Sequence, residues 1–180
     1  MPFLALMMVG ITEYALAFRS ANHLEKLARN AMVELLRAPD DPLADYRVLE
    51  TVRESAGEAG SQIRWVMVYK ASPGSSDPPS HCVTVANSLT SGASGVGGLC
   101  NVYSGAFVAT AIPSNFGQDG CTGAADRWMC PSTRRSSFGT NQRIGVAVRW
   151  TQTWKTKLLP GGGLSATDFV VSPLPAEALP

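Results

Sequence analysis

The residues with the clearest chemical potential in this 180-residue chain are four cysteines in its second half. Cys82, Cys100, Cys121 and Cys130 are separated by 18, 21 and 9 residues, whereas zinc ligands usually come in pairs about two to four residues apart. None belongs to a C-x-x-C pair, so their even number predicts disulfides and an oxidising compartment. Three pairings are open, and the shortest loops come from pairing Cys82 with Cys100 and Cys121 with Cys130.

The histidines and glycines form no recognisable catalytic or cofactor-binding motif. His81 is adjacent to Cys82, but neighbouring residues on an extended segment point to opposite sides, which disfavours a Cys-His nucleophile. His23 lies in no motif, and the glycine-rich residues 92–98 are not followed by the Lys-Ser/Thr of a phosphate loop. The sequence therefore predicts a protein that is not an enzyme, with no catalytic residues, no cofactor, no metal site and no small-molecule substrate.

The charge balance argues against nucleic acid as a partner. The chain has 15 basic and 14 acidic residues, a net charge of +1, and so lacks the strong positive field that phosphate neutralisation requires. A group of arginines with two aromatic residues could recognise an anionic surface, although a solvated loop is the favoured interpretation. This group consists of Arg127, Arg134, Arg135 and Arg143 with Trp128 and Phe138.

An acidic residue, Glu13, lies inside an otherwise apolar run over residues 1–18. The run has the length of a short membrane-spanning helix, and the alternatives are a buried core helix or a cleaved secretory signal. A carboxylate within a bilayer is costly, which makes Glu13 a functional candidate with a polar partner on another subunit. The other interpretation is that Glu13 lies near the lipid headgroups and reaches water.

The first helix is expected to continue well beyond the apolar run. The composition becomes polar after Phe18, but no Gly or Pro intervenes before Pro39, so residues 1–38 predict one helix about 50 Å long. Small and apolar residues recur along one side at spacings of three and four, which predicts packing against neighbouring helices or the chain's own sheet. This stripe consists of Ala17, Ala21, Leu24, Ala28, Ala31 and Leu35.

Residues 39–180 predict an extracytoplasmic domain that begins with a helix and a strand. A second, amphipathic helix is expected over residues 43–59 because apolar residues recur at helical spacing. Residues 62–70 predict a central strand, since both of its faces are partly apolar.

The later elements predict strands with a disulfide-bearing region between them. A short strand is expected at residues 82–86, and residues 99–112 have no clear period. Alternation over residues 143–154 and 164–172 predicts two strands joined as a hairpin. The expected fold class is α+β, with a small antiparallel sheet packed on the projecting half of the first helix and loops stabilised by disulfides.

The N-terminal helix resembles that of TadE-like proteins, the minor pilins or pseudopilins of tight-adherence pili. Gly10, Ile11, Glu13 and Phe18 match the family's Gly-Ile-x-Glu and aromatic pattern, and residues 27–31 look like its Ala/Arg-rich extension. The second half is similar to actinobacterial members in the order of its motifs. These motifs are CNVY at 100–103, Cys121, WMCPSTR at 128–134, IGVAV at 144–148 and LSA at 164–166.

One departure from the family concerns the N-terminus. The family's basic leader, cleavage-point glycine and Val-Glu-Phe lie upstream of a proline that Pro2 matches, and this sequence contains none of them. We therefore expect Met1 to be an internal methionine. Without a leader, Arg19, Lys26 and Arg29 would place the C-terminal domain in the cytoplasm by the positive-inside rule, which conflicts with the cysteines. A leader upstream would resolve that conflict.

The resemblance implies a structural component of an adhesive, type IV-like pilus. Its partners would be the membrane, other pilin-like subunits and the pilus assembly machinery. Its location would be the cell membrane, with the C-terminal domain outside the cytoplasm or in a surface pilus. The alternative is a membrane-anchored extracytoplasmic binding module that uses the arginine and aromatic loop over residues 127–138.

Overall fold

The chain folds as an α+β protein around one five-stranded antiparallel sheet. A computed structural model describes residues 2–37, 41–72, 74–116, 143–153 and 163–173. The helices are α1 (Pro2–Arg37), α2 (Ala44–Ala56), α3 (Ser80–Ser88) and α4 (Gly105–Thr110). The strands are β1 (Ile63–Ala71), β2 (Ala93–Val96), β3 (Cys100–Ser104), β4 (Arg143–Thr153) and β5 (Gly163–Pro173).

The first helix continues without a break past Phe18, as the absence of Gly and Pro between Phe18 and Pro39 predicted. At 36 residues, α1 is about 54 Å long. A membrane-spanning run was expected over residues 1–18, yet within the described residues no helix is both long enough and apolar enough to cross a membrane.

The sheet has the order β2-β3-β1-β4-β5, with every neighbouring pair antiparallel. The predicted central strand is confirmed: β1 lies between β3 and β4, with Val66 opposite Tyr103 on one side and Val148 on the other. The predicted antiparallel pairing of β4 with β5 is also confirmed, and it places Val148 opposite Asp168.

Helices cover both faces of the sheet. The larger core lies between one face and the helices α1, α2 and α4, and contains Leu35, Val52, Val66 and Val148. The smaller core lies on the opposite face, under α3, and includes Trp65. The two cores use alternate residues of β1, which explains why that strand is buried on both sides.

Two expected element boundaries differ in the structure. Residues 82–86, where a short strand was expected, belong to α3, in which Cys82 and Ala86 are buried one helical turn apart. The second helix ends at Ala56 rather than at residue 59, because Gly57 adopts a positive φ of 51° and a 3-10 turn follows over Gly57–Gln62.

Candidate functional site

The first helix presents two different surfaces along its length. Its C-terminal half packs against the rest of the chain, whereas large apolar side chains of its N-terminal half are exposed to solvent. Ile11 and Phe18 are each 70% exposed. Exposed large apolar side chains collected on one stretch of helix are typical of a surface that binds protein or lipid. We call it the apolar surface of α1, and it consists of Leu4, Met7, Met8, Ile11, Tyr14, Leu16 and Phe18.

The predicted packing stripe is buried within this chain. Leu24, Ala28, Ala31 and Leu35 are part of the larger core, which α1 shares with α2 and the sheet. Ala17 is also buried, and the side chain of Ala21 is outside the described residues. The stripe was expected to pack against neighbouring helices or against the chain's own sheet. In this half of α1 it packs against α2 and the sheet of the same chain. The alanines allow α2 and the sheet to approach α1 closely.

Glu13 is the N-terminal continuation of this stripe, four residues before Ala17. Its side chain is only 1% exposed, so the structure does not support the interpretation that Glu13 reaches water. It therefore lies on the protected side of α1, while Ile11 and Tyr14 lie on the exposed side. Whether Glu13 contacts another subunit stays a prediction.

A buried polar cluster, which the sequence analysis did not identify, joins α2 to β3. Asp45 is fully buried and accepts hydrogen bonds from Asn101 Nδ2 at 2.9 Å and from the Tyr103 hydroxyl at 2.7 Å. Asn101 and Tyr103 are two residues apart on β3, so both side chains point towards the helices. The available signal was position: Asp45 lies three and four residues before Val48 and Leu49, on the apolar side of α2.

Two cysteines and one histidine make structural contacts in the described part of the chain. Cys82 and Cys100 form a disulfide that joins α3 to β3, as nearest-neighbour pairing predicted. Cys121 and Cys130 lie outside the described residues. His23 Nε2 is 2.9 Å from the Ser55 carbonyl oxygen, so this nitrogen carries a proton and donates from α1 to α2.

Neither a metal site nor the predicted arginine and aromatic surface can be built from the described residues. No group of three or more His, Cys, Asp or Glu side chains that could hold a metal ion occurs among them. Residues 127–138 are outside the described ranges, and Arg143 begins β4.

One acidic residue near α1 has a perturbed titration. Burial raises the pKa of Asp168, and Glu25 raises it further, whereas a hydrogen bond from the Phe169 backbone and the charge of Arg29 lower it. Glu25 and Arg29 form an i, i+4 ion pair on α1. Asp168 faces this pair from the outer strand β5. This arrangement fits a packing contact between helix and strand.

No protein-family model, curated protein or solved structure matches the chain.

Proposed function

We propose that the protein is a pilin-like structural subunit of a tight-adherence pilus, with a role in adhesion and without catalytic activity. Before assembly, the apolar surface of α1 holds the subunit at the membrane. During assembly, the same surface packs against the helices of other pilin-like subunits, and the disulfide-bearing α+β domain faces outward. The pilus assembly machinery and the membrane are the proposed partners.

One observation carries this proposal: the C-terminal half of α1 is built into the core, whereas its N-terminal half exposes large apolar side chains on the side away from Glu13 and Ala17. The core residues from Leu24 to Leu35 fix the direction of α1 relative to the sheet. The exposed part from Leu4 to Phe18 extends this rigid helix by about 15 residues, or about 22 Å. A flexible tether would not need a rigid connection to the core, but a subunit that must align its helix with neighbouring helices does.

The disulfide supports the outward orientation of the domain. The Cys82–Cys100 bond requires an oxidising compartment, which for a membrane-anchored protein lies outside the cytoplasm. The proposal that the assembly is a tight-adherence pilus comes from the resemblance to TadE-like proteins. The residues that carry this resemblance in α1 are Gly10, Ile11, Glu13 and Phe18.

Photo-cross-linking from the apolar surface of α1 tests the proposal. A photoreactive residue at position 11 is expected to form cross-links to another copy or to another pilin-like subunit in filaments sheared from the cell surface. The matched control places the same residue at Val33, which is 53% exposed on the half of α1 that packs on the domain. We expect cross-links to neighbouring helices from position 11 and few from position 33.

The alternative function gives the opposite result. An anchored binding module uses α1 only to stay at the membrane, so position 11 would cross-link to lipid and the protein would be missing from the sheared fraction. That outcome would refute the proposed subunit role while leaving the fold unaffected.

A further inference from the structure

A cavity of about 640 Å³ lies between the middle of α1 and the end of the sheet. Its inner wall is formed by buried apolar side chains, among them Leu24, Leu27, Ile63 and Trp150. It opens beside Phe18, which is exposed. The volume corresponds to about twenty groups the size of a water molecule, enough for a hydrocarbon chain. An apolar wall of this size with few polar groups is typical of a small-molecule site.

Two glutamines that line this cavity have side-chain oxygens without a hydrogen-bond partner among the described residues. Gln152 is 3% exposed, and its Oε1 accepts no hydrogen bond from this part of the chain; the same is true of the buried Oε1 of Gln62. A buried polar atom left unsatisfied costs free energy, and native proteins seldom leave one in place. Both oxygens would accept a hydrogen bond from a hydroxyl group inside the cavity.

The rim of the cavity is basic. Arg19 and Lys26 are exposed and lie on the α1 side of the opening, and no acidic side chain occurs among the described lining residues. The electrostatic complement of this rim is an anion. The Glu25–Arg29 pair lies on the same helix but outside the lining.

From these three features we propose that the cavity binds an anionic glycerolipid with free hydroxyl groups. Its acyl chain lies against Leu27 and Trp150, its hydroxyl groups donate to Gln62 and Gln152, and its phosphate lies beside Arg19. The proposal concerns the cavity alone and holds whether or not the protein enters a pilus.

The test uses the full chain in a non-ionic detergent and a lysophosphatidylglycerol with a brominated acyl chain. Bromine quenches tryptophan fluorescence on contact, so saturable quenching that disappears in Trp150→Phe places the chain in the cavity. Brominated lysophosphatidylcholine, which has no net charge, is expected to bind more weakly. Equal quenching by the two lipids, or quenching that Trp150→Phe leaves unchanged, would overturn the proposal.

Substitutions in the lining separate a real site from partition into the micelle. Arg19→Gln is expected to weaken binding of the anionic lipid about fivefold, whereas Arg64→Gln, which removes the same charge outside the cavity, leaves it unchanged. Gln152→Met keeps the size of the side chain and removes the acceptor, so binding falls about tenfold. Without lipid, the thermal midpoint of the Gln152→Met variant is expected to equal or exceed that of the unsubstituted protein. Unchanged affinity in both lining variants would refute the site.

Discussion

The buried carboxylate of Asp45 provides the most direct test of how α2 is held on the sheet. Replacing Asp45 with alanine removes the acceptor for Asn101 Nδ2 and the Tyr103 hydroxyl and leaves both donors inside the core. Hydrogen bonds to a charged group contribute about 1.5–3 kcal/mol each, and an unsatisfied donor costs about 1–3 kcal/mol. We therefore expect Asp45→Ala to lower the free energy of unfolding by about 3–5 kcal/mol, a large part of a typical domain's stability.

Equilibrium unfolding in urea measures this loss on the full chain in a constant concentration of non-ionic detergent, with the disulfide oxidised. The urea midpoint should fall while the slope of the free energy of unfolding against urea concentration stays the same. That result would show that the stability has changed and that the surface exposed on unfolding has not. Glu54→Ala is the matched control, because Glu54 is exposed on the same helix, and its effect should stay within about 0.5 kcal/mol.

A double-mutant cycle decides whether the cluster acts as a unit. Tyr103→Phe removes one donor and is expected to cost about 1.5–3 kcal/mol. If the hydroxyl acts through Asp45, the two losses will not add, and the coupling energy will be about 1–2 kcal/mol. Additive losses, or a loss below about 1 kcal/mol for Asp45→Ala, would refute our account of the cluster.

Three further perturbations test other parts of the structure. Changing Cys82 and Cys100 to alanine opens an 18-residue loop, and unfolding titrations should show a loss of about 3 kcal/mol. Gly145→Ala should cost about 1–3 kcal/mol in the same assay, because the new Cβ would lie 2.3 Å from Cζ of Tyr69. Asp168→Asn should raise the thermal midpoint at pH 7, since burial raises the pKa of this carboxyl in the folded state.

Two of these predictions have internal controls. Gly97→Ala is the control for Gly145→Ala, because a Cβ at Gly97 would meet no atom within 4 Å. Equal losses of stability at the two glycines would show that the contact with Tyr69 is not the cause. For Asp168, the folded protein holds its proton to higher pH than the unfolded chain does. The contribution of Asp168 to stability therefore falls as pH rises from its ordinary pKa through the raised one. If the stability of Asp168→Asn depended on pH in the same way as that of the unsubstituted protein, this reasoning would be wrong.

The sequence was most informative where one period extends over many residues. The long helix, the central strand and the final pair of strands were predictable because their apolar residues repeat at 3.6 or 2 positions over nine residues or more. Residues 99–112 were not, because β3 has five residues that are all buried and α4 has only six residues. Elements this short contain too few repeats to define a period.

The same reasoning explains which site residues were predictable. The stripe from Ala17 to Leu35 follows from spacing alone, and in the structure each of its described side chains is buried. Asp45 was missed because a charged residue in the first turn of a helix is usually solvated and favourable there through the helix dipole. Its partners, Asn101 and Tyr103, are 56 and 58 residues away, a separation that no local pattern reveals.

The burial of the stripe changes how the function of α1 must be tested. A charged residue at Leu24 or Ala28 would disrupt the core that joins α1 to α2, so the subunit would fail to fold before it could fail to assemble. Ile11 is on the same helix but outside that core, and a substitution there leaves the domain intact. Assembly and folding are therefore separable along α1, and substitutions on its apolar surface report on contacts with other subunits without disturbing the core.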